Sequence, residues 1–384
     1  MFSLDRFYKI IHNNLIAHLP NAKSIYFYPF GTYDSKLMLT NSSDTSYPPI
    51  TAHVNWTPES EFFHCYFFDQ EPLFDQAVPF ISKSRLTQKF IYKPGRTYLF
   101  ANSEQSEIKN AIVKEFNFKD WYYFFHGFVA LEWYRDFQYL NSTSFNRFDK
   151  VFICLNHLTT KYRSYRLHLV SNLIDQDLVK HGLVSLFHKD TWQETIEDPE
   201  NLLDNRARVK IYKTLKNFPE NLIVDTDTPT GALSADVNLD QLTSALFHVV
   251  TETIYFQDKL HLTEKIFKPI VSKRPFLLVA APGNLAYLKS YGFKTFDRWI
   301  DESYDQEEDH YVRIEKITAE IARLCALDKS ALEQIHLEMQ EVLEYNFNHF
   351  YGDFKQIIVN ELVDNFNSII PITDATEVKQ RLLR

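Results

Sequence analysis

Glycine is scarce in this chain: eight residues in 384, at positions 31, 95, 127, 182, 231, 283, 292 and 352, no two closer than nine apart. That spacing excludes every motif built on clustered glycines: the P-loop, the GxGxxG dinucleotide turn, the kinase glycine loop and the GxSxG nucleophile elbow. A phosphorylated ligand, if bound, must be held by side chains and helix ends. AT-rich codon usage depletes glycine as well, and 33 Phe and 22 Tyr fit that bias. Cysteine is rarer still. Cys65, Cys154 and Cys325 lie far apart with no CxxC, which suggests neither a disulfide framework nor a zinc–thiolate site and fits a reducing compartment. No apolar run approaches the roughly 18–20 residues of a membrane span. Near the start, Phe7, Ile10, Ile11 and Leu15 recur at helical spacing among polar residues, an amphipathic helix rather than a signal peptide. The sequons at Asn41, Asn55 and Asn141 then read as chance matches, and a cytoplasmic protein is expected.

What is present is apolar and aromatic. Hydrophobic residues make up 45% and aromatics 16%, enough for two buried cores. Residues 1–150 carry 15 basic and 15 acidic side chains, so the whole net charge of −9 belongs to the remainder. That balance argues against non-specific nucleic-acid binding while permitting a local basic face.

Short apolar runs alternate with longer helical patterns. Strands are expected at Ile25–Tyr28, Phe62–Phe68, Thr97–Ala101 and Trp121–Phe125. A second series follows at Val151–Leu155, Leu183–Phe187, Leu222–Val224, Leu246–Val250 and Phe276–Ala280. Helical patterns such as Tyr162–Ile174, Glu264–Val271 and Asn284–Ser290 intervene, and His310–Leu327, Lys329–Tyr345 and Phe354–Asn365 read as helices only. Pro269 is expected to kink or shorten the helix opened by Glu264. Strand, helix, strand repeated in this way predicts an α/β fold with parallel, doubly wound sheets. A polar seam at Asn141–Lys150 divides the series into domains 1–148 and 149–345, with a helical segment 346–384 after them.

In such sheets ligands bind beyond the carboxyl ends of the strands. After Phe62–Phe68 come Asp69 and Glu71, carboxylates placed either to take a proton from an attacking hydroxyl or to cap the next helix. After Thr97–Ala101, Ser103, Ser106 and Glu107 look like a helix start. His126 follows Trp121–Phe125, where it either orients an acceptor or shares in proton transfer, or is structural. Lys83, Arg85, Lys89, Lys93 and Arg96 form an acid-free stretch interleaved with Phe90, Tyr92 and Tyr98. It reads as a solvated face or as a surface for a polyanionic acceptor such as a nucleic acid.

After Val151–Leu155, Lys161, Arg163 and Arg166 open a helix. Cations in a first turn oppose the helix dipole unless an anion is present, so a pyrophosphate there would explain them. Glu252 follows Leu246–Val250. Thr263 is a good N-cap, Glu264 can accept the hydroxyls of a ribose, and Lys265 can reach a diphosphate as a point charge. The other reading is a capping Thr with a first-turn Glu. Ala281-Pro282-Gly283-Asn284 turns the next strand into a helix.

The stretch LTEKIFKPIVSKRPFLLVAAPGNLAYLKSYGFKTFDRWIDESYD resembles the donor-domain core of a group of phage and bacterial glycosyltransferase-like proteins. That group is itself similar to the GT-B fucosyltransferases, which carry a comparable Thr-Glu-Lys motif. FFDQEPL (Phe67–Leu73), FANSEQSE (Phe100–Glu107), FFHGFVALEWYRDF (Phe124–Phe137) and FICLNHLTTKYRSYRLHLVSNL (Phe152–Leu173) extend the likeness in order over residues 60–305. The resemblance implies a GT-B-like pair of Rossmann-like domains facing a cleft, with a nucleoside-diphosphate sugar held by the second. It implies that Glu264 and Lys265 contact ribose and diphosphate, that Arg163 or Arg166 grips the diphosphate, and that Asp69 or Glu71 is the base. His157 and Lys161 stand where relatives carry more Arg.

The expected reaction is inverting and metal-independent transfer to an acceptor hydroxyl, with the donor under the Glu252/Thr263–Lys265 helix end, all four residues binding it, and cations neutralising the departing diphosphate. A rival GT-A reading would bind a metal through Asp225-Thr226-Asp227. Two further readings are a transferase acting on hydroxymethylated bases of phage DNA in the host cytoplasm, and a non-catalytic module that binds nucleotide or glycan.

Overall fold

A computed structural model describes residues 7, 10, 11, 14, 15, 63–70, 72, 73, 97–139, 148–186, 192–198, 201–216, 222 and 238–383. The expected strand Ile25–Tyr28, Glu71, the basic stretch Lys83, Arg85, Lys89, Lys93 and Arg96, and Asp225-Thr226-Asp227 lie outside the described residues. The fold is mixed α/β with parallel sheets. It divides into two compact units, Met1–Trp133 with Asp353–Arg384, and Tyr134–Gly352.

In the first unit, β1 (Phe63–Phe68), β2 (Thr97–Asn102) and β3 (Lys119–Tyr122) form a parallel sheet in that order. Phe68 pairs with Asn102 and Asn102 with Tyr122, so the three carboxyl ends are level. Ser106 caps the helix Glu107–Glu115, its Oγ accepting from Lys109 N at 3.1 Å. The third strand ends three residues earlier than its apolar run predicts. Tyr123 N bonds Asn102 O (3.1 Å) and Phe125 N bonds Ser103 Oγ (3.0 Å), and this turns Phe125–Trp133 into a helix. His126 therefore sits in the first turn of that helix.

The core of this unit explains the return of the C-terminus. From the sequence, residues 346–384 are expected as a C-terminal helical segment. Its helices Asp353–Ile369 and Ala375–Leu383 cluster with the first unit. Val359, Leu362, Val363 and Phe366 recur at helical spacing and bury against Leu99, Ala101 and Trp121 of the sheet and Phe7, Ile11 and Leu15 of the N-terminal segment. Trp121 Nε1 donates to Leu362 O at 3.1 Å, and its ring meets Phe366 edge-on at 4.9 Å. Gly127 lets the returning helix approach: a Cβ there would stand 2.9 Å from the Phe354 ring.

The second unit holds β4 (Lys150–Asn156), β5 (Gly182–Leu186), β6 (Ala245–Thr251) and β7 (Phe276–Val279), all parallel, in spatial order β5-β4-β6-β7. Every residue of β6 is buried, as expected for a parallel strand covered on both faces. Leu186 N donates to Leu222 O (2.8 Å) beyond β5. The order places a topological switch between β4 and β6, where chain connections leave in opposite directions. The expected helix Glu264–Val271 is a 3₁₀ turn, Glu264–Ile266, followed by Phe267–Val271, so Pro269 sits in a first turn that needs no donor from it. The helix Lys329–Tyr351 runs six residues past its expected end and stops at Gly352. Among the described residues no helix is long and apolar enough to cross a membrane.

Two buried histidines make the second unit acid-sensitive. Burial pushes His248 on β6 down to about 3, while Arg274 adds to the effect. Burial and the neighbouring Arg274 push His336 down to about 4. The His336 ring is neutral: its Nε2 accepts from Arg274 Nη1 (3.4 Å) and Gln340 Nε2 (3.1 Å). The folded form refuses a proton that the unfolded chain takes below about pH 6.5, so stability falls as pH drops from there towards 4 and below. Each such histidine contributes a slope of about 1.4 kcal/mol per pH unit in that window. Urea unfolding at pH 7 and pH 5 should show the midpoint fall, with a shallower fall in His336→Gln. An unchanged midpoint would contradict the assignment.

Candidate functional site

The carboxyl edge of the first sheet gathers polar groups from three strand ends. Asp69 directly follows β1 and is 1% exposed, and its carboxylate accepts from the Tyr123 hydroxyl just past β3. His126 Nε2 lies 3.0 Å from Gln70 O, which ties the first helical turn to the segment after Asp69. Glu104, also buried, accepts from Leu73 N (2.7 Å) and from Ser106 Oγ, so its carboxylate ties the chain after β1 to the start of a helix. The structure thus brings Asp69 and His126 to one edge.

At the switch point of the second sheet two turns carry cations. The first follows β4. Lys161 is exposed and takes a left-handed backbone (φ 53°); the other described non-glycine residues that do so, Asn117, Asp177 and Lys273, each follow a helix end. Arg163 is half-buried, with Nη1 donating to the Tyr162 hydroxyl (2.9 Å) and its guanidinium over that ring. Ser164 is the N-cap of the helix Tyr165–Asp175, yet it makes no cap bond. Its hydroxyl is buried with no hydrogen-bond partner among the described residues.

Arg166 is different from Arg163. Its buried guanidinium donates through Nη1 to Leu158 O (2.8 Å) and through Nη2 to Thr251 O (2.9 Å) and Glu252 O (3.2 Å). The Tyr165 hydroxyl donates to the same Glu252 carbonyl, and burial pushes that phenol up to about 12. Sequence spacing left the two arginines equivalent; the structure makes Arg166 a strut between the loops after β4 and β6. Arg166→Met removes the donors to the carbonyls of Leu158, Thr251 and Glu252, of which Glu252 keeps only the Tyr165 hydroxyl, and should cost about 3 kcal/mol of stability. Arg163→Ala should leave the free energy of unfolding within about 0.5 kcal/mol, as for surface substitutions. Chemical denaturation of both variants checks the pair, and equal costs would sink the distinction.

The second turn follows β6. The Glu252 carboxylate is fully buried. Its Oε1 accepts from Thr263 N (3.1 Å), and its Oε2 accepts from Thr263 Oγ1 (2.5 Å) and Thr253 N (3.2 Å). Thr263 caps the 3₁₀ turn, as its position predicts. Lys265 Nζ lies 3.0 Å from Thr263 Oγ1 and 3.3 Å from Glu264 Oε1, with the Lys side chain 29% exposed. Glu252, Thr263, Glu264 and Lys265 are therefore assembled, with Glu252 facing inward to the turn and Lys265 outward.

Gly283 occupies the left-handed region (φ 79°) ahead of the helix Asn284–Ser290. That helix end is already capped: Asp305 Oδ1 accepts from Leu285 N (3.1 Å), and Asp305 O accepts from Gly283 N (2.9 Å). Burial raises the Asp305 carboxyl above its usual range. Ser164, Asp305 and Tyr123 were not singled out from the sequence. A Ser between a strand and a helix is a capping signal that could have found the first. Asp305 lies 20 residues from the amide it caps, and Tyr123 lies 54 from Asp69; nothing local marks either.

Among the described residues no cluster of three or more His, Cys, Asp or Glu side chains could hold a metal ion. Compared with known proteins, the chain matches no family model, and no curated protein matches it.

Proposed function

We propose that this protein is a glycosyltransferase of GT-B-like organisation, moving a sugar from a nucleoside-diphosphate sugar to an acceptor hydroxyl with inversion and without a metal. One observation carries the reading. Two cation-bearing turns, Lys161–Arg163 and Thr263–Lys265, stand at the switch point of one parallel sheet, where open α/β sheets bind ligands. They are tied together by bonded groups: Arg166 holds the carbonyls of Leu158 and Glu252, and the Glu252 carboxylate holds Thr263. No clustered glycines are needed to build this cradle.

In this scheme Lys265 and Arg163 neutralise the departing diphosphate, with Lys161 at its margin. Glu264 accepts the ribose hydroxyls. Asp69 or Glu71 takes the acceptor proton as that oxygen attacks the anomeric carbon, and the C–O bond to the diphosphate breaks in the same step. His126, bonded to Gln70 O, holds the segment between the two carboxylates.

Nucleotide release should be followed with a panel of nucleotide sugars, offering glycans and hydroxymethylated duplex DNA as acceptors. Turnover should persist in excess EDTA, and complete loss there would sink the metal-free scheme. Within that assay Lys265→Ala should weaken donor affinity about tenfold or more, the worth of one charge-assisted contact. Unchanged affinity would remove Lys265 from the site. Binding of a nucleotide sugar without turnover on any acceptor would favour the non-catalytic module.

A further inference from the structure

We infer that Glu252 and Thr263 are positioning residues for Lys265 and make no contact with the nucleotide sugar themselves; this rests on the diphosphate reading above. The geometry fixes the direction of one proton. The Glu252 Oε2 carboxylate oxygen can only accept, and it lies 2.5 Å from Thr263 Oγ1, so the Thr hydroxyl donates to it. The same Oγ1 is left with lone pairs alone. Those face Lys265, whose Nζ donates to it at 3.0 Å and whose backbone N approaches at 3.5 Å. Glu252 thus sets the polarity of the Thr263 hydroxyl, and that polarity holds the ammonium.

The alternatives are unfavourable for identifiable reasons. Glu252 cannot also be a ligand-binding carboxylate, because it is fully buried and both oxygens are occupied by Thr253 N, Thr263 N and Thr263 Oγ1. A glutamine in its place sets an NH2 group against a backbone donor in either orientation. At the Oε2 place it meets Thr253 N and donates to Thr263 Oγ1, turning the hydroxyl proton towards Lys265. At the Oε1 place it meets Thr263 N and displaces the turn that carries Oγ1. The carbonyl of Glu252 is gripped by Arg166 and Tyr165, so the carboxylate is carried on a fixed backbone. Long lysine side chains lose much rotamer entropy when held, so anchoring Nζ before ligand arrives lowers the cost of binding.

The test is a double-mutant cycle read as affinity for inorganic pyrophosphate and for GDP, UDP, ADP and CDP by titration calorimetry, using the full chain. Thr263→Ser, which keeps the hydroxyl, should stay within about twofold of wild type. Thr263→Val and Glu252→Gln should each weaken the best-bound probe about tenfold, the scale of a lost polar contact. In the Lys265→Ala background the same substitutions should cost less than about twofold, because their effect runs through Lys265. A purely structural role would instead give equal costs in both backgrounds, and that result would overturn the inference. Should Thr263→Val not fold, the Glu252→Gln arm of the cycle decides alone. Should Glu252→Gln not fold either, the comparison of Thr263→Ser with Thr263→Cys, a weak donor of similar size, decides in the same two backgrounds. If the wild type binds none of the five probes, the diphosphate reading itself has failed. If it binds one and all variants bind it equally, only the positioning role has failed.

Discussion

A chain ending at Gly352 should lose the fold of its first unit while the second unit survives. Among the described residues, the C-terminal segment supplies Val359, Leu362, Val363, Phe366, Ile370 and Val378, six of the fifteen buried members of the first unit's core cluster. Burying one such side chain is worth about 1.5–3 kcal/mol, so the loss is on the order of 10 kcal/mol. That equals the entire stability of an ordinary domain. The truncation also removes the Leu362 carbonyl that satisfies Trp121 Nε1 and the Glu361 carboxylate that accepts from Phe124 N at 2.9 Å. Limited proteolysis followed by mass spectrometry should show cleavage throughout residues 97–133 and protection of the described segments 150–186 and 238–351. Equal protection of residues 97–133 and of those segments would contradict the account. A point variant, Phe366→Asp, should reproduce the pattern more weakly, since it opens the same core from one residue.

Removing the base should have the second large effect. Positioned general bases contribute about 10²–10⁴-fold to rate. One of Asp69→Asn and Glu71→Gln should therefore lower kcat by about a hundredfold or more, with donor affinity kept within about twofold. Asp69 is held at a strand end by the Tyr123 hydroxyl, which makes Tyr123→Phe an informative companion. If Asp69 is the base, losing that donor changes the pH dependence of kcat. If Glu71 is the base, Tyr123→Phe leaves the pH profile in place. Full activity in both carboxylate variants would reject a base on this strand end.

Much of the second unit was legible in the sequence because its strands are continuous apolar runs. The expected Val151–Leu155, Leu246–Val250 and Phe276–Ala280 correspond to Lys150–Asn156, Ala245–Thr251 and Phe276–Val279. Runs of that kind suit a strand covered on both faces, and short ones also fit a buried helix segment. Trp121–Phe125 misled for the same reason. It is just as apolar, but two backbone donors, Tyr123 N and Phe125 N, find partners on the neighbouring strand end and bend the chain into a helix. Apolar periodicity records which residues are buried and not which donors are satisfied where.

The site was legible only as a set of residue types at strand ends. Arg163 and Arg166 are three apart, and helical spacing alone gives them similar outlooks. What separates them is the position of the carbonyls of Leu158, Thr251 and Glu252, two of which lie about 85 residues further along the chain. Glu252 similarly reads as a loop carboxylate until its contacts with Thr263, eleven residues on, turn it inward. The C-terminal stripe could be read as an amphipathic helix, but its partner Trp121 is 241 residues away from Leu362. Such pairings are set by tertiary packing, and no local pattern encodes them.

The central claim is that the turns Lys161–Arg163 and Thr263–Lys265 hold a nucleoside diphosphate. Its most direct test is the thermal midpoint of the full chain with each nucleotide sugar of a four-base panel at high concentration. A ligand present at about 100 times its Kd stabilises the native form by about 2.7 kcal/mol. One of them should raise the midpoint by several degrees, and the rise should shrink in Lys265→Ala and Arg163→Ala. No rise with any nucleotide sugar, or a rise untouched by both substitutions, would contradict that claim.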